Sequence, residues 1–86
     1  MSSIKRILIA DDHALLRQGI KNVLELEPDF VIVAEAGDGE EALRQIGETA
    51  PDIALLDINM PRLNGLEVTK RIHAAHPDVK VIILTI

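Results

Sequence analysis

Ile53-Ala54-Leu55-Leu56-Asp57, set beside Ile7-Leu8-Ile9-Ala10-Asp11-Asp12, decides how this chain folds. Each is a short aliphatic run that stops on aspartate. A strand solvated on one face alternates apolar with polar residues, so a run without alternation reads as a strand covered on both faces of a parallel sheet. If the two strands are neighbours, Asp11, Asp12 and Asp57 meet at one carboxyl edge. Like charges that close together need a cation to remain ionised. Three hard oxygen donors, in a chain without cysteine, point to magnesium. A carboxylate beside bound magnesium is equipped to take a phosphoryl group.

Working outward, apolar runs alternate with helical patterns, and there is no linker, repeat or low-complexity tract. The first strand covers 5–10. A helix over 14–26 places Leu16, Ile20, Val23 and Leu24 on one stripe, with Pro28 beyond it. A second strand, 30–35, leads through Gly37-Asp38-Gly39 into a helix over 39–48 that buries Ala42, Leu43 and Ile46. Pro51 introduces the third strand, 52–57, and the loop from Asn59 to Gly65 follows. A helix over 65–75 turns Val68, Ile72 and Ala75 inward, and after Pro77 a fourth strand covers 79–85. The order βαβαβαβ implies an α/β, doubly wound parallel sheet with helices as crossovers. Right-handed crossovers restrict the layout. In the order 2-1-3-4, the first helix lies on one face and the others on the opposite face. The crevice then opens between strands one and three, where the chain reverses direction across the sheet.

Eighty-six residues make at most one small domain, and 48% hydrophobic with 27% charged residues is the balance of a folded protein. Phe30 is the only aromatic residue, so the core is aliphatic. A net charge of −5 argues against nucleic-acid binding by this segment. The absence of cysteine excludes disulfides and thiolate metal sites. No apolar run approaches the roughly 20 residues that span a bilayer, and the start carries no secretory pattern. The expectation is a soluble, cytoplasmic protein without membrane contact.

Each motif has a plainer reading. Asp11-Asp12 would serve as a helix cap, but one Asp suffices for that. Asp57 precedes a loop rather than a helix start. Pro61 fixes that loop's backbone and Asn64-Gly65 supplies a turn, so the loop can aim the carbonyl of Asn59 at a metal. Thr85 would reach the same edge if strands three and four are adjacent, where its hydroxyl can bond a phosphoryl oxygen. Alone it reads as an ordinary strand residue. Gly37-Asp38-Gly39-Glu40-Glu41-Ala42 matches the G-x-G-x-x-A dinucleotide fingerprint. Glu40 and Glu41 would nevertheless repel a pyrophosphate at that helix start, so Asp38 and the glutamates fit better as cap and dipole partners. His73 and His76 lack metal-ligand spacing, and His13, next to the acidic pair, reads as peripheral to the site.

Ile-Leu-Ile-Ala-Asp-Asp-His (7–13), Val-Ala-Glu-Ala-Gly-Asp-Gly-Glu-Glu-Ala-Leu (33–43) and Pro-Asp-Ile-Ala-Leu-Leu-Asp-Ile-Asn-Met-Pro-Arg-Leu-Asn-Gly-Leu-Glu (51–67) closely resemble the response-regulator receiver domain of two-component systems. The segment Asp-Asp-His-x-Leu-Leu-Arg-x-Gly looks like the NarL/FixJ (LuxR-type) subfamily. The resemblance covers the whole chain. It implies the flavodoxin-like receiver fold, with Asp57 as the acceptor of phosphate from a histidine kinase. It further implies Asp12 as a direct Mg2+ ligand, Asp11 acting through water, the Asn59 backbone carbonyl as a ligand, and Thr85 as the hydroxyl switch residue. Members of the subfamily usually carry a C-terminal DNA-binding domain. The family's lysine, which follows a fifth strand, has no counterpart here. Lys80 cannot replace it, because five residues of strand separate it from Thr85, about 17 Å.

The fifth strand and last helices of that fold are likewise without counterpart. Residues 79–86 read as an interior strand that would otherwise form a long apolar edge, which native proteins avoid. The expectation is therefore a receiver domain over 1–86, incomplete at its C-terminal end. Either further chain covers strand four or a homodimer pairs through it. Two other readings stay open. One is an interaction module that never receives phosphate and docks a partner through Arg17, Lys21 and the first helix's exposed side. The other is a magnesium-dependent phosphohydrolase with an aspartyl nucleophile. That enzyme would want a second acid two residues after Asp57, where Asn59 stands.

Overall fold

The computed structural model describes residues 4–84. Four strands and three helices alternate: β1 (Lys5–Ala10), α1 (Ala14–Leu24), β2 (Phe30–Ala36), α2 (Gly39–Thr49), β3 (Ile53–Asp57), α3 (Gly65–Ala75) and β4 (Lys80–Leu84). The sheet is parallel, in the order β2-β1-β3-β4. The aliphatic runs occupy its centre. Leu8, Ile9, Ala10, Ala54 and Leu56 have no exposed surface, and Ile7 and Leu55 almost none. Thr85 lies outside the described residues.

Side-chain alternation along the strands divides the core in two. Leu8, Ala10, Ala54 and Leu56 pack with Ala42 and Ile46 of α2 and Val68 and Ile72 of α3. On the other face Ile7, Ile9 and Leu55 meet Ile20 and Leu24 of α1. Among the described residues that face has one helix where the opposite face has two. Its thin cover shows at β4, where Ile82, paired with Leu55, is 42% exposed.

The helices depart from the expected stripes in three places. α1 ends at Leu24, because Leu26 and Glu27 donate backbone hydrogen bonds three residues back, to Val23 and Leu24, and tighten into a turn. Val23, expected inward, is 65% exposed. The inward row of α1 runs Leu16, Ile20, Leu24, and among the described residues no second helix flanks it to cover Val23. Ala75 is exposed as well. Val68 and Ile72 set a spacing of four that continues to half-buried His76, and Ala75 falls outside that row.

Candidate functional site

β1 and β3 lie side by side with Ala10 opposite Leu56, so Asp11 and Asp57 leave the sheet at the same level. One ligand atom from each of Asp11, Asp12, His13 and Asp57 falls within 4.8 Å of the others. Asp11 is 1% exposed. Its Oδ1 accepts the backbone N–H of His13 at 2.8 Å. Its Oδ2 is buried without a hydrogen-bond partner, which is costly for a charged oxygen unless a cation supplies the missing contact. The capping reading of the acidic pair does not hold: His13 is the N-cap of α1, and no side chain caps it.

Asp57 is half-buried and its Oδ1 accepts the N–H of Asn59 at 3.2 Å. The loop behind it is held at several points. Met60 is buried in the core, Gly65 donates to the Ile58 carbonyl at 2.9 Å, and Asn64 caps α3 by accepting the Glu67 N–H at 2.9 Å. Arg62 takes a left-handed φ of 69°, and its Nε stands 3.5 Å from Asp38 Oδ2. Gly39 meets this loop so closely that a β-carbon there would come within 2.0 Å of the Leu63 carbonyl oxygen. The loop after Asp57 is thus locked to the start of α2. Asp38 itself accepts the Glu41 N–H at 2.8 Å, the cap expected of the Gly-Asp-Gly turn, and β2 is an edge strand.

His13, Leu15, Leu16, Asp57 and Asn59 line a cavity of about 450 Å³ that opens beside Asp57. Expected site residues Asp11, Asp12 and Asp57 therefore converge, and Asn59 stands at the same cavity. Three residues have closer roles than the sequence indicated. His13 Nδ1 lies 3.1 Å from Asp12 Oδ1 and 3.3 Å from Asp11 Oδ1, within the cluster rather than at its margin. Arg17 and Lys21, expected on the exposed side of α1, are largely covered and both reach Glu35, at 3.3 and 3.2 Å. Arg17 Nη1 also donates to the carbonyls of Asp11 and Ala36, joining the carboxyl ends of β1 and β2. The signal for this was present in the spacing: Arg17 lies one residue beyond Leu16 on the inward side of α1, and Glu35 interrupts an otherwise apolar strand.

Because Arg17 binds main-chain atoms next to Asp11, Arg17→Met should cost about 1–3 kcal/mol by leaving the carbonyls and Glu35 short of a donor. Urea unfolding would report it as a lowered midpoint at unchanged slope. An unmoved midpoint would mean that solvent satisfies those groups.

An edge of three carboxylates with a buried, unpartnered carboxylate oxygen suits a hard divalent cation. No helix among the described residues is long and apolar enough to cross a membrane.

Residues 7–86 match the family described as the response regulator receiver domain. The transcriptional regulatory protein DegU of Brevibacillus brevis is 47% identical over 81 residues, covering 94% of this chain and 34% of that protein. Among solved structures, a two-component response regulator of the LuxR family from Aurantimonas sp. SI85-9A1 superposes with a TM-score of 0.89 at 37% identity, over 94% of this chain and 58% of that one. A DNA-binding response regulator of the LuxR family from Staphylococcus aureus gives 0.88 at 39% identity, over 93% and 67%. The chain spans about a third of the length of the curated relatives it matches, 34% and 38% for the first two.

Proposed function

The chain belongs to the response regulator receiver domain family of two-component systems, and on that footing we propose that it accepts a phosphoryl group on Asp57 from the phosphohistidine of a histidine kinase. The observation that carries this reading is the convergence of Asp11, Asp12 and Asp57 within 4.8 Å at the ends of two neighbouring strands. Asp57 is the nucleophile. A carboxylate oxygen attacks phosphorus in line, the bond from phosphorus to the donor nitrogen breaks, and the imidazole leaves. Asp11, Asp12, Asp57 and the Asn59 carbonyl would hold Mg2+, which when bound supplies positive charge to offset that of the phosphoryl oxygens. The hydrogen bond from Asn59 N–H to Asp57 Oδ1 fixes the carboxylate's rotation and leaves its other oxygen for attack. Thr85 follows Leu84, the residue paired with Asp57 across the β3–β4 ladder, and is proposed as the hydroxyl that engages the phosphoryl group.

The acyl phosphate biases a two-state regulatory domain rather than entering turnover. The output is transcription, through a DNA-binding domain like that of the Staphylococcus aureus relative. The cytoplasm is the proposed location, where a kinase would meet it. Exposed Ile82 supports the proposal that β4 is covered, by further chain of the same domain or by a second copy.

Acetyl phosphate tests the reading without knowledge of the kinase. With Mg2+ the full-length protein should gain one phosphoryl group by intact-mass measurement, and excess EDTA should prevent it. A protein that stays unmodified, or is labelled equally with EDTA, contradicts the proposal.

A further inference from the structure

Resting on the reading of the acidic edge given above, we propose that Arg17 is a positioning residue for phosphoryl transfer, which holds the peptide joining Asp11 to Asp12 and so aims both carboxylates for Mg2+ in advance. β1 ends at Ala10, where its ladders to β2 and β3 run out at Ala36 and Leu56. The two acids that follow stand beyond the regular pairing of the sheet, and their aim depends on what holds their main chain. Asp11 N–H donates to the Ala36 carbonyl at 3.0 Å. The Asp11 carbonyl, which is the oxygen of the Asp11–Asp12 peptide, accepts from Arg17 Nη1, and the same nitrogen reaches the Ala36 carbonyl at 3.5 Å. A peptide is planar and turns only as a unit, so fixing its oxygen fixes the direction in which the chain leaves for Asp12.

Arg17 is itself held at both ends. Its main chain sits in the first turn of α1, where its N–H donates to the His13 carbonyl at 2.9 Å. Its Nε lies 3.3 Å from Glu35 Oε1, and Lys21 Nζ lies 3.2 Å from the other Glu35 oxygen. The guanidinium fork allows this: one nitrogen pairs with the carboxylate of β2 while another reaches the carbonyl beyond β1. Arg17 is largely covered, which shields these bonds from competing water. Asp11 is 1% exposed, and its Oδ2 has no hydrogen-bond partner to direct it. The 2.8 Å bond from His13 N–H to Asp11 Oδ1 lies within the same short turn, so it moves with that turn and cannot by itself aim it. Arg17 ties the turn to the rest of the fold.

The same geometry would arise if Arg17 only braced the fold or only contributed charge, and the three roles differ in what they do to magnesium. Replacing a brace lowers stability and leaves the folded protein's affinity for Mg2+ where it was. Removing a bare positive charge near the acids tightens cation binding, because a repulsion is lost. Removing a positioning residue weakens binding, because the cation must then order the acids itself. The labelling rate at saturating Mg2+ is nearly kept, because Asp57 is untouched. Full-length protein, Arg17→Met, Arg17→Lys and Ile46→Val are titrated calorimetrically with Mg2+ and labelled with acetyl phosphate over a range of Mg2+ concentrations. Ile46 is buried in the last turn of α2, at the other end of that helix from the Gly39 contact with the Asp57 loop, so Ile46→Val is the control for lost stability. Arg17→Met should weaken Mg2+ binding about tenfold. Arg17→Lys should weaken it at least about threefold, since one ammonium cannot serve Glu35 and the Asp11 carbonyl in the fork geometry of arginine. At saturating Mg2+ both should be labelled within about threefold of the parent rate, and Ile46→Val should match the parent in both readouts. Arg17→Lys decides the outcome alone if Arg17→Met does not fold. Parent-like or tighter Mg2+ binding, a weakening shared by Ile46→Val, or labelling that stays low at saturating Mg2+ would overturn the role of Arg17 while leaving the acidic site intact. A parent that fails to bind Mg2+ or to take the label would instead overturn the reading of the site itself, and this inference with it.

Discussion

Asp57→Asn should bring covalent labelling by acetyl phosphate down to background while the protein stays folded. The substitution preserves shape, and the amide oxygen can accept the Asn59 N–H that Asp57 Oδ1 accepts now at 3.2 Å. It removes the one property the proposed reaction needs, an anionic oxygen able to attack phosphorus. It also removes one of three like charges gathered at the edge. Stability without Mg2+ should therefore be unchanged or raised, because repulsion among the acids falls. Intact mass after incubation with the phosphodonor, and a urea midpoint on the same sample, give both readouts. Undiminished labelling would remove Asp57 from its role. A collapse of stability would make it a structural residue instead.

Gly65→Ala should be, with Gly39→Ala, among the most damaging single methyls in the molecule. A β-carbon on Gly65 would stand 2.4 Å from the Asp57 carbonyl oxygen, 3.0 Å from the Ile58 α-carbon and 3.1 Å from the Asp57 carbonyl carbon. All three are main-chain atoms, which cannot rotate away as a side chain would. Gly65 opens α3, where alanine gains less over glycine than the roughly 1 kcal/mol of a helix interior, so a fall in stability measures the clash. We expect a net loss of about 3 kcal/mol or more, with backbone displacement at Asp57 itself. Labelling of the fraction that remains folded should fall as well, since the nucleophile's main chain is what moves. A parent-like urea midpoint would show that the β3–α3 loop yields easily, and with it the picture of a locked loop behind Asp57 would fail.

The sheet was legible because Ile7–Ala10 and Ile53–Leu56 are apolar at every position, a pattern that admits few other structures. Right-handed crossovers narrowed the strand order without fixing it, and 2-1-3-4 is the order of the receiver fold that the resemblance implied. The convergence of Asp11, Asp12 and Asp57 needed only that order. What escaped depends on contacts between elements distant in sequence. Arg17 and Lys21 read as surface charges until Glu35 of β2 is beside them. Val23 fits the α1 stripe on a helical wheel, yet it is exposed because no other helix among the described residues packs next to α1 on that face. His13 was visible as a neighbour of the acids, but chain adjacency does not say which way a ring turns. The left-handed Arg62 carried no glycine or asparagine signal at all.

The central claim is that this edge exists to place phosphate on Asp57, and locating the phosphate tests it most directly. Full-length protein labelled with acetyl phosphate and Mg2+ is reduced with borohydride, which converts an aspartyl phosphate to homoserine. It is then digested and sequenced by tandem mass spectrometry. The account predicts homoserine at position 57 and at no other aspartate. Homoserine at Asp11 or Asp12, or a labelled protein with Asp57 intact, would contradict it.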